Sequence, residues 1–338
     1  MNEHGSGSIR MRALILGVAG QDGCYLARLL LEKGYEVVGT SRDAMAASFA
    51  NLERLGIRER IQTASVAIND FRSVLSAIQR YKPDEIYNLA GQTSVGLSFE
   101  QPVEAMESIA DGTLNVLEAM RFVNRPIRFY NAGSGECFGE TGSNRADEQT
   151  AFWPHSPYAV AKATAHWLVR NYRESHGLHG CTGILFNHES PLRPERFVTQ
   201  KIVRAAARIA TGSEEKLRLG NIGIERDWGW APEYVEAMWL IMKQEKPDDF
   251  VIATGRSESL EYFVSRAFAC FDLQWQNHVT VDKSLFRPLD IATSSGNPAK
   301  AKRVLGWSAK VDVDGVIENM CAALDSDPGT SAAAKAGQ

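Results

Sequence analysis

Cysteine is sparse: Cys24, Cys137, Cys181, Cys270 and Cys321 stand far apart with no C-x-x-C pair. That spacing argues against a disulfide framework or a zinc ribbon, and reduced thiols in a cytoplasmic protein are the expectation. No run of Lys and Arg forms a stripe, and 37 basic against 41 acidic residues leave a net charge of -4. Nucleic acid is not an expected partner. No apolar run reaches the roughly 18 residues that a membrane span needs, so no membrane partner is expected. No His, Asp and Glu set has metal-ligand spacing, and no internal repeat or low-complexity linker divides the chain. At 338 residues the chain exceeds one average domain. The polar stretches 1–10 and 325–338 read as a flexible leader and a disordered tail.

What is present is an alternation of apolar strand-like runs and amphipathic helical ones. Arg12 to Leu16 is a short strand that leads into Gly17-Val18-Ala19-Gly20-Gln21-Asp22-Gly23, followed by a helix from about Cys24 to Lys33. Strand, glycine turn and helix form the setting of a dinucleotide fingerprint. Gly17 would permit the tight turn, Gly20 the approach of a pyrophosphate, and Gly23 the packing of helix on strand. Tyr35 to Gly39 is the next strand. Ser41 stands where an NAD site places an acidic residue, and the neighbouring Arg42 suits a 2′-phosphate. NADP is therefore favoured over NAD, with Asp43 as the residue that argues the other way.

Further strands are expected at 61–66, 85–90, 127–132 and 181–186, with helices at 71–81, 102–122 and from Ser156-Pro157 to about His176. This order predicts an α/β fold: a Rossmann-type, doubly wound parallel sheet. A smaller mixed α/β C-terminal lobe follows, with helices at 197–211, 235–243 and 260–271 and a strand at 250–253. The division falls near residue 186, with 187–324 mainly the substrate lobe and the chain crossing between the two. Leu89-Ala90-Gly91-Gln92 and Gly133-Ser134-Gly135-Glu136 lie at carboxyl ends of strands, where such sheets bind ligands. Tyr158 and Lys162 are four residues apart and share a helix face. An ammonium beside a phenol favours its ionised form, and the pair suits removal of a proton from a sugar hydroxyl.

These motifs resemble those of the GDP-mannose 4,6-dehydratases, within the extended short-chain dehydrogenase/reductases. The resemblance runs from about Arg12 to Trp307. It rests on GVAGQDG at Gly17, YNLAGQTSVGLSF at Tyr87, FYNAGSGECFGE at Phe129 and SPYAVAKATAHW at Ser156. It continues with GILFNHESPLR at Gly183, FVTQK at Phe197, RLGNIGIERDWGW at Arg218 and GNPAKAKRVLGW at Gly296. It implies an NADP-dependent hydro-lyase acting on GDP-mannose or a GDP-mannoheptose. By the resemblance, Tyr158, supported by Lys162 and with Ser134 on the sugar, takes the C4 proton. Glu136 then removes the C5 proton so that water leaves C6. Cofactor contacts are implied at Gly17 to Gly23, Leu89, Ala90, Gly91, Gln92, Thr93, Tyr158, Lys162, His188 and Arg193. For the sugar nucleotide, Asn187, Val198, Lys201, Arg218, Leu219, Asn221, Arg226, Arg287 and Asp290 are implied. Gly91 and Gly135 are expected to enlarge the site enough for a bulkier sugar. A homodimer or homotetramer is implied, paired through the helices at 102–122 and 156–176. The alternative is an NADP-dependent nucleotide-sugar 4-keto reductase or epimerase, which needs no base like Glu136.

Overall fold

The computed structural model describes residues 10–325. The expected leader and tail therefore lie almost wholly outside the described residues.

Seven parallel strands form the central sheet: β1 (Arg12–Leu16), β2 (Glu36–Ser41), β3 (Gln62–Ser65), β4 (Glu85–Asn88), β5 (Arg128–Ser134), β6 (His179–Leu185) and β7 (Phe250–Ile252). Their order is β7-β6-β5-β4-β1-β2-β3, so the direction of winding reverses between β1 and β4. That reversal opens a crevice above the carboxyl ends of the two strands. The inner strands are apolar on both faces because helices cover both: Ala13, Leu14, Ile15 and Leu16 are all buried.

On one face lie α1 (Gln21–Glu32) and a helix over Ala231–Met242, closing a core of Val18, Leu26, Tyr87, Tyr130 and Met238. On the other lie α2 (Phe71–Tyr81), α3 (Gly112–Val123) and α4 (Pro157–His176), with Ile78, Val116, Phe129 and Val169 between them and the sheet. Each fully buried side chain of this size contributes about 1.5–3 kcal/mol, so burial on both faces sets the layering.

Several bounds differ from the sequence expectation for local reasons. The first helix begins at Gln21 rather than Cys24, because the end of the glycine turn is itself helical. The long helix expected at 102–122 runs as Pro102–Ala105, a wide π turn over Met106–Asp111, and then α3. The π turn sets Ser108 against the loop after β4, where its hydroxyl accepts from the Gln92 amide at 3.1 Å. Helix α4 starts at Pro157, with the Ser156 hydroxyl accepting from the Ala159 amide at 3.1 Å.

After β6 the chain leaves the sheet to build a second, smaller cluster. Its helices are α5 (Val198–Ala210) and, after the 231–242 helix (α6), α7 (Leu260–Ala269) and α8 (Val313–Asp325). Ile202, Val203, Phe263, Phe268 and Ile317 form its core. The chain crosses back between the two clusters, since both α6 and β7 join the sheet layers. Sequence reading had no helix at 313–325. Its apolar positions pack against α5, α7 and the strand Trp228–Trp230, all distant in the chain.

Candidate active site

A cavity of about 420 Å³ lies above the carboxyl ends of β1, β4, β5 and β6, between the sheet and the smaller cluster. Ser134, Glu136, Tyr158 and Lys162 share its wall with Asn187, His188 and Arg193. Val198, Lys201, Arg218, Leu219, Asn221, Arg226, Arg287 and Asp290 line the opposite part. One enclosure thus joins all the residues implied for the sugar nucleotide with part of the cofactor set: Asp22, Leu89 and Thr93 also face it. Gly17, Val18, Ala19, Gly20, Gln21, Gly23, Ala90, Gly91, Gln92 and Arg42 do not line it.

The glycine turn divides by function. Gly17 has φ +87°, and a Cβ there would lie 3.0 Å from the backbone of Ala90 and Leu89. At Gly23 a Cβ would overlap the Gly17 carbonyl oxygen and approach Val18 Cα at 2.7 Å. Both glycines are demanded by the protein itself. Gly20 is exposed, and a Cβ there would meet only the Gly17 oxygen, at 3.5 Å. Gly20 is also the N-cap of α1, and no side chain caps that end. An exposed, uncapped helix N-terminus in this setting fits a pyrophosphate. The nicotinamide dinucleotide therefore fits the residues present. Val18 is fully buried, so its side chain is not offered to a ligand. Gln21 is buried and directed inward, donating to the His188 carbonyl at 3.1 Å and accepting from Ser190 at 2.8 Å. Arg42 is 70% exposed and paired with Glu104 at 2.8 Å, outside the cavity.

The residues expected to handle protons stand on β5, the turn after it, and α4. Ser134 ends β5, is buried, and its Oγ accepts from the Glu136 amide at 3.3 Å. Ser134 and Tyr158 lie on the same wall of the cavity. Lys162 is buried and donates to the Ala132 carbonyl at 2.7 Å, with its Nζ 5.8 Å from the Tyr158 ring centre. Burial raises the phenol's pKa, opposed by Ser134 and the charge of Arg193. Burial also pulls Lys162 down to about 8. Cys137, beside Glu136, is pushed up to about 12 by burial and is an inert packing thiol.

Cations dominate the sugar-nucleotide side. Arg226 is buried, and its Nη1 donates to the Glu225 and Ile291 carbonyls, both at 2.9 Å. Its Nη2 has no hydrogen-bond partner and lies 3.6 Å from Asp290 Oδ1, itself unpartnered. Burial lowers the Arg226 pKa, and the charge of Glu136 opposes that shift most strongly. Lys201 donates to the Arg218 carbonyl at 2.8 Å, and Arg218 pairs with Asp282.

The two glycines expected to widen the site do not. A Cβ on Gly91 would meet the Ile109 side chain at 2.9 Å and the Ser108 carbonyl at 3.2 Å, in the helix behind the loop. One on Gly135 would meet the Phe186 ring at 3.0 Å. Both spaces are already filled. Sequence reading passed over Ser94, Phe186 and Arg196, which also line the cavity. Ser94 before Val95 carried a legible signal, since a Ser before an apolar run is a helix start, and its Oγ accepts from the Leu97 amide at 3.3 Å.

Comparison with known proteins agrees over nearly the whole chain. The family model described as GDP-mannose 4,6 dehydratase matches residues 14–320. GDP-mannose 4,6 dehydratase 1 of Arabidopsis thaliana is 45% identical over 321 residues, covering 92% of this chain and 89% of the relative. GDP-mannose 4,6-dehydratase of Vibrio cholerae is 39% identical, covering 94% and 93%. Among solved structures, a dTDP-glucose 4,6-dehydratase of Streptomyces venezuelae superposes with a TM-score of 0.84 at 20% identity, covering 94% of this chain and 98% of that one. At that identity it speaks for the fold alone.

Proposed function

The chain belongs to the GDP-mannose 4,6-dehydratase family and is a nucleotide-sugar 4,6-dehydratase, a hydro-lyase; we propose that its sugar is GDP-mannose and its cofactor NADP. The observation that carries this reading is Glu136 on the same wall as Ser134 and Tyr158. A carboxylate there supplies the second base that elimination requires and simple alcohol oxidation does not.

A bound nicotinamide would supply reversible hydride chemistry, with hydride leaving the sugar at C4 and returning at C6 and no net change in the cofactor. Gly20 and the N-terminus of α1 would hold its pyrophosphate, with Leu89, Thr93, His188 and Arg193 along its length. Arg42 would leave Glu104 to meet the 2′-phosphate, an exchange its exposure allows. The role of the chain's own residues is proton movement. Tyr158 accepts the C4 hydroxyl proton, with Ser134 on the same wall. The resulting 4-ketone acidifies C5; Glu136 takes that proton and gives it to the C6 hydroxyl, which departs as water, and the proton released at C4 balances the one that returns to C5. Arg226 lines the same cavity and turns a positive charge toward Glu136. Lys201, Arg218, Arg226 and Arg287 outnumber Asp290 on this side, which suits a diphosphate.

GDP-mannose is favoured over a mannoheptose because the extra room expected at Gly91 and Gly135 is filled. The scattered cysteines fit a cytoplasmic enzyme, and no helix among the described residues is long and apolar enough to cross a membrane. A homodimer is the proposed assembly, through the outer faces of the Pro102–Ala105 segment, α3 and α4. Val103, Phe122, Val160 and Trp167 are exposed there.

The test is incubation with GDP-mannose and no added reductant. The expected product is lighter by one water and carries a 4-ketone, with no net consumption of NADPH. A requirement for stoichiometric NADPH would overturn the dehydratase reading. Faster turnover of GDP-mannoheptose would overturn the choice of sugar.

A further inference from the structure

His188 stands where the cofactor turn meets the sugar side of the cavity, and both of its ring nitrogens face acceptors. Nδ1 lies 2.7 Å from the Phe186 carbonyl, and Nε2 lies 2.9 Å from an Asp22 carboxylate oxygen. A carbonyl cannot donate, and neither can an ionised carboxylate, so both nitrogens carry protons and the ring is an imidazolium. Its own carbonyl accepts from Gln21 and, at 3.3 Å, from Arg193. His188 thus ties the glycine turn to the strand Asn187–Glu189.

The face of this ring is covered by Tyr234, stacked at 4.6 Å between centroids and 22° between planes. Tyr234 is fully buried, and its hydroxyl has no hydrogen-bond partner. The position therefore uses the aromatic ring and not the phenol. Its surroundings keep the ring in place. Gly229, paired with His188 across the strands, is glycine where any Cβ would overlap Tyr234. Trp307 abuts the far side edge-on at 5.7 Å and 89°, anchored by its Nε1 donating to the Glu233 carbonyl at 3.0 Å. An aromatic face attracts a cation laid against it, most strongly where water is excluded.

We propose that Tyr234 is a positioning residue: its ring holds His188 as a cation and so pins Asp22 and the glycine turn in the geometry that receives the cofactor. The proposal rests on the reading of residues 17–23 as the cofactor turn. The charged groups around the pair are Asp22 from α1, Arg193 from the loop that follows, and Glu189 on the same strand. Asp227 and Glu233 flank Tyr234, and Lys162 faces Asp22 from α4. Burial disfavours the imidazolium, but the charge and hydrogen bond of Asp22 outweigh it and raise the His188 pKa. Burial likewise works against the Asp22 carboxylate, and His188 overcomes it, drawing Asp22 down to about 2.

A group whose pKa is raised on folding holds its full contribution below its unfolded value and loses it as pH climbs through the folded one. The turn should therefore loosen on the alkaline side, above about pH 6.5. Tyr234→Leu and Tyr234→Met remove the aromatic face, whereas Tyr234→Phe keeps it. The experiment is NMR titration of ring-labelled histidine in the cofactor-free protein, with His188 assigned by the signal missing from His188→Gln. NADPH and NADH titrations from about pH 6 to 9 accompany it.

In the wild type and in Tyr234→Phe, His188 should titrate above about 6.5. In the aliphatic variants its pKa should fall by about one unit, and the pH at which NADPH affinity drops should move down with it, weakening binding roughly tenfold in between. A wild-type His188 that titrates below about 6.5, or a Tyr234→Phe protein that shifts as far as the aliphatic ones, would overturn the proposal. If His188 shifts as expected but neither nucleotide binds the wild type, the cofactor reading fails and the ring's role stands.

Discussion

Glu136 and Arg226 set the charge balance at the reacting end of the cavity. Arg226 cannot leave: two backbone carbonyls hold its Nη1 and the protein buries it. Glu136 is the partly exposed member, free to meet a substrate. Removing its charge should stop proton removal at C5 without touching the glycine turn. Glu136→Gln is expected to lower kcat by about 10²–10⁴-fold while NADPH affinity stays within about twofold, as read by product mass and fluorescence titration. An equal loss of both would withdraw the assigned role. At this scale the sequence was informative because Ser134, Glu136, Tyr158 and Lys162 sit within one short stretch. The hydrogen bond of Lys162 to the Ala132 carbonyl on β5, a contact across 30 residues, is one that helix spacing does not show.

The glycine turn and α1 work as one element, and two substitutions separate its duties. Gly23→Ala places a methyl against the Gly17 and Val18 backbone, which cannot swing aside as a flexible side chain would. A loss of about 1–3 kcal/mol is expected, seen as a fall of several degrees in Tm. Gly20→Ala meets nothing closer than 3.5 Å and should leave Tm unchanged. It should instead weaken NADPH binding about tenfold or more, because the methyl occupies the face offered to the pyrophosphate. If both variants lose stability equally, Gly20 is structural and the pyrophosphate site lies elsewhere. The turn was legible in advance because strand, glycines and helix are contiguous. The π turn at Met106–Asp111 was not, since its register is set by Ser108 against Gln92 and by Ile109 against Gly91.

For the whole molecule, the open question is what covers the outer faces of α3 and α4. Trp167 is 52% exposed and Val160 42%, and Phe122 and Val103 lie more open still. Pro154, Val160, Ala163, Thr164, Trp167 and Leu168 form a shallow apolar groove there. Apolar side chains grouped in this way mark an association surface rather than scattered exposure. Trp167→Glu should convert a dimer into a monomer by light scattering at micromolar concentration, with the fold retained by circular dichroism. A wild-type protein that is already monomeric would set the proposed assembly aside.

The sequence by itself determined the layered parallel sheet, the glycine turn, the candidate quartet Ser134, Glu136, Tyr158 and Lys162, and the family, since each is written in contiguous residues or in repeating strand–helix periods. Tertiary structure alone decided that Gly91 and Gly135 face packed side chains, that Lys162 donates to the Ala132 carbonyl, that Arg226 confronts Glu136, and that Tyr234 stacks on His188. Those facts join residues tens to hundreds of positions apart. Periodicity reports which face of an element is apolar, not which distant side chain fills the space against it.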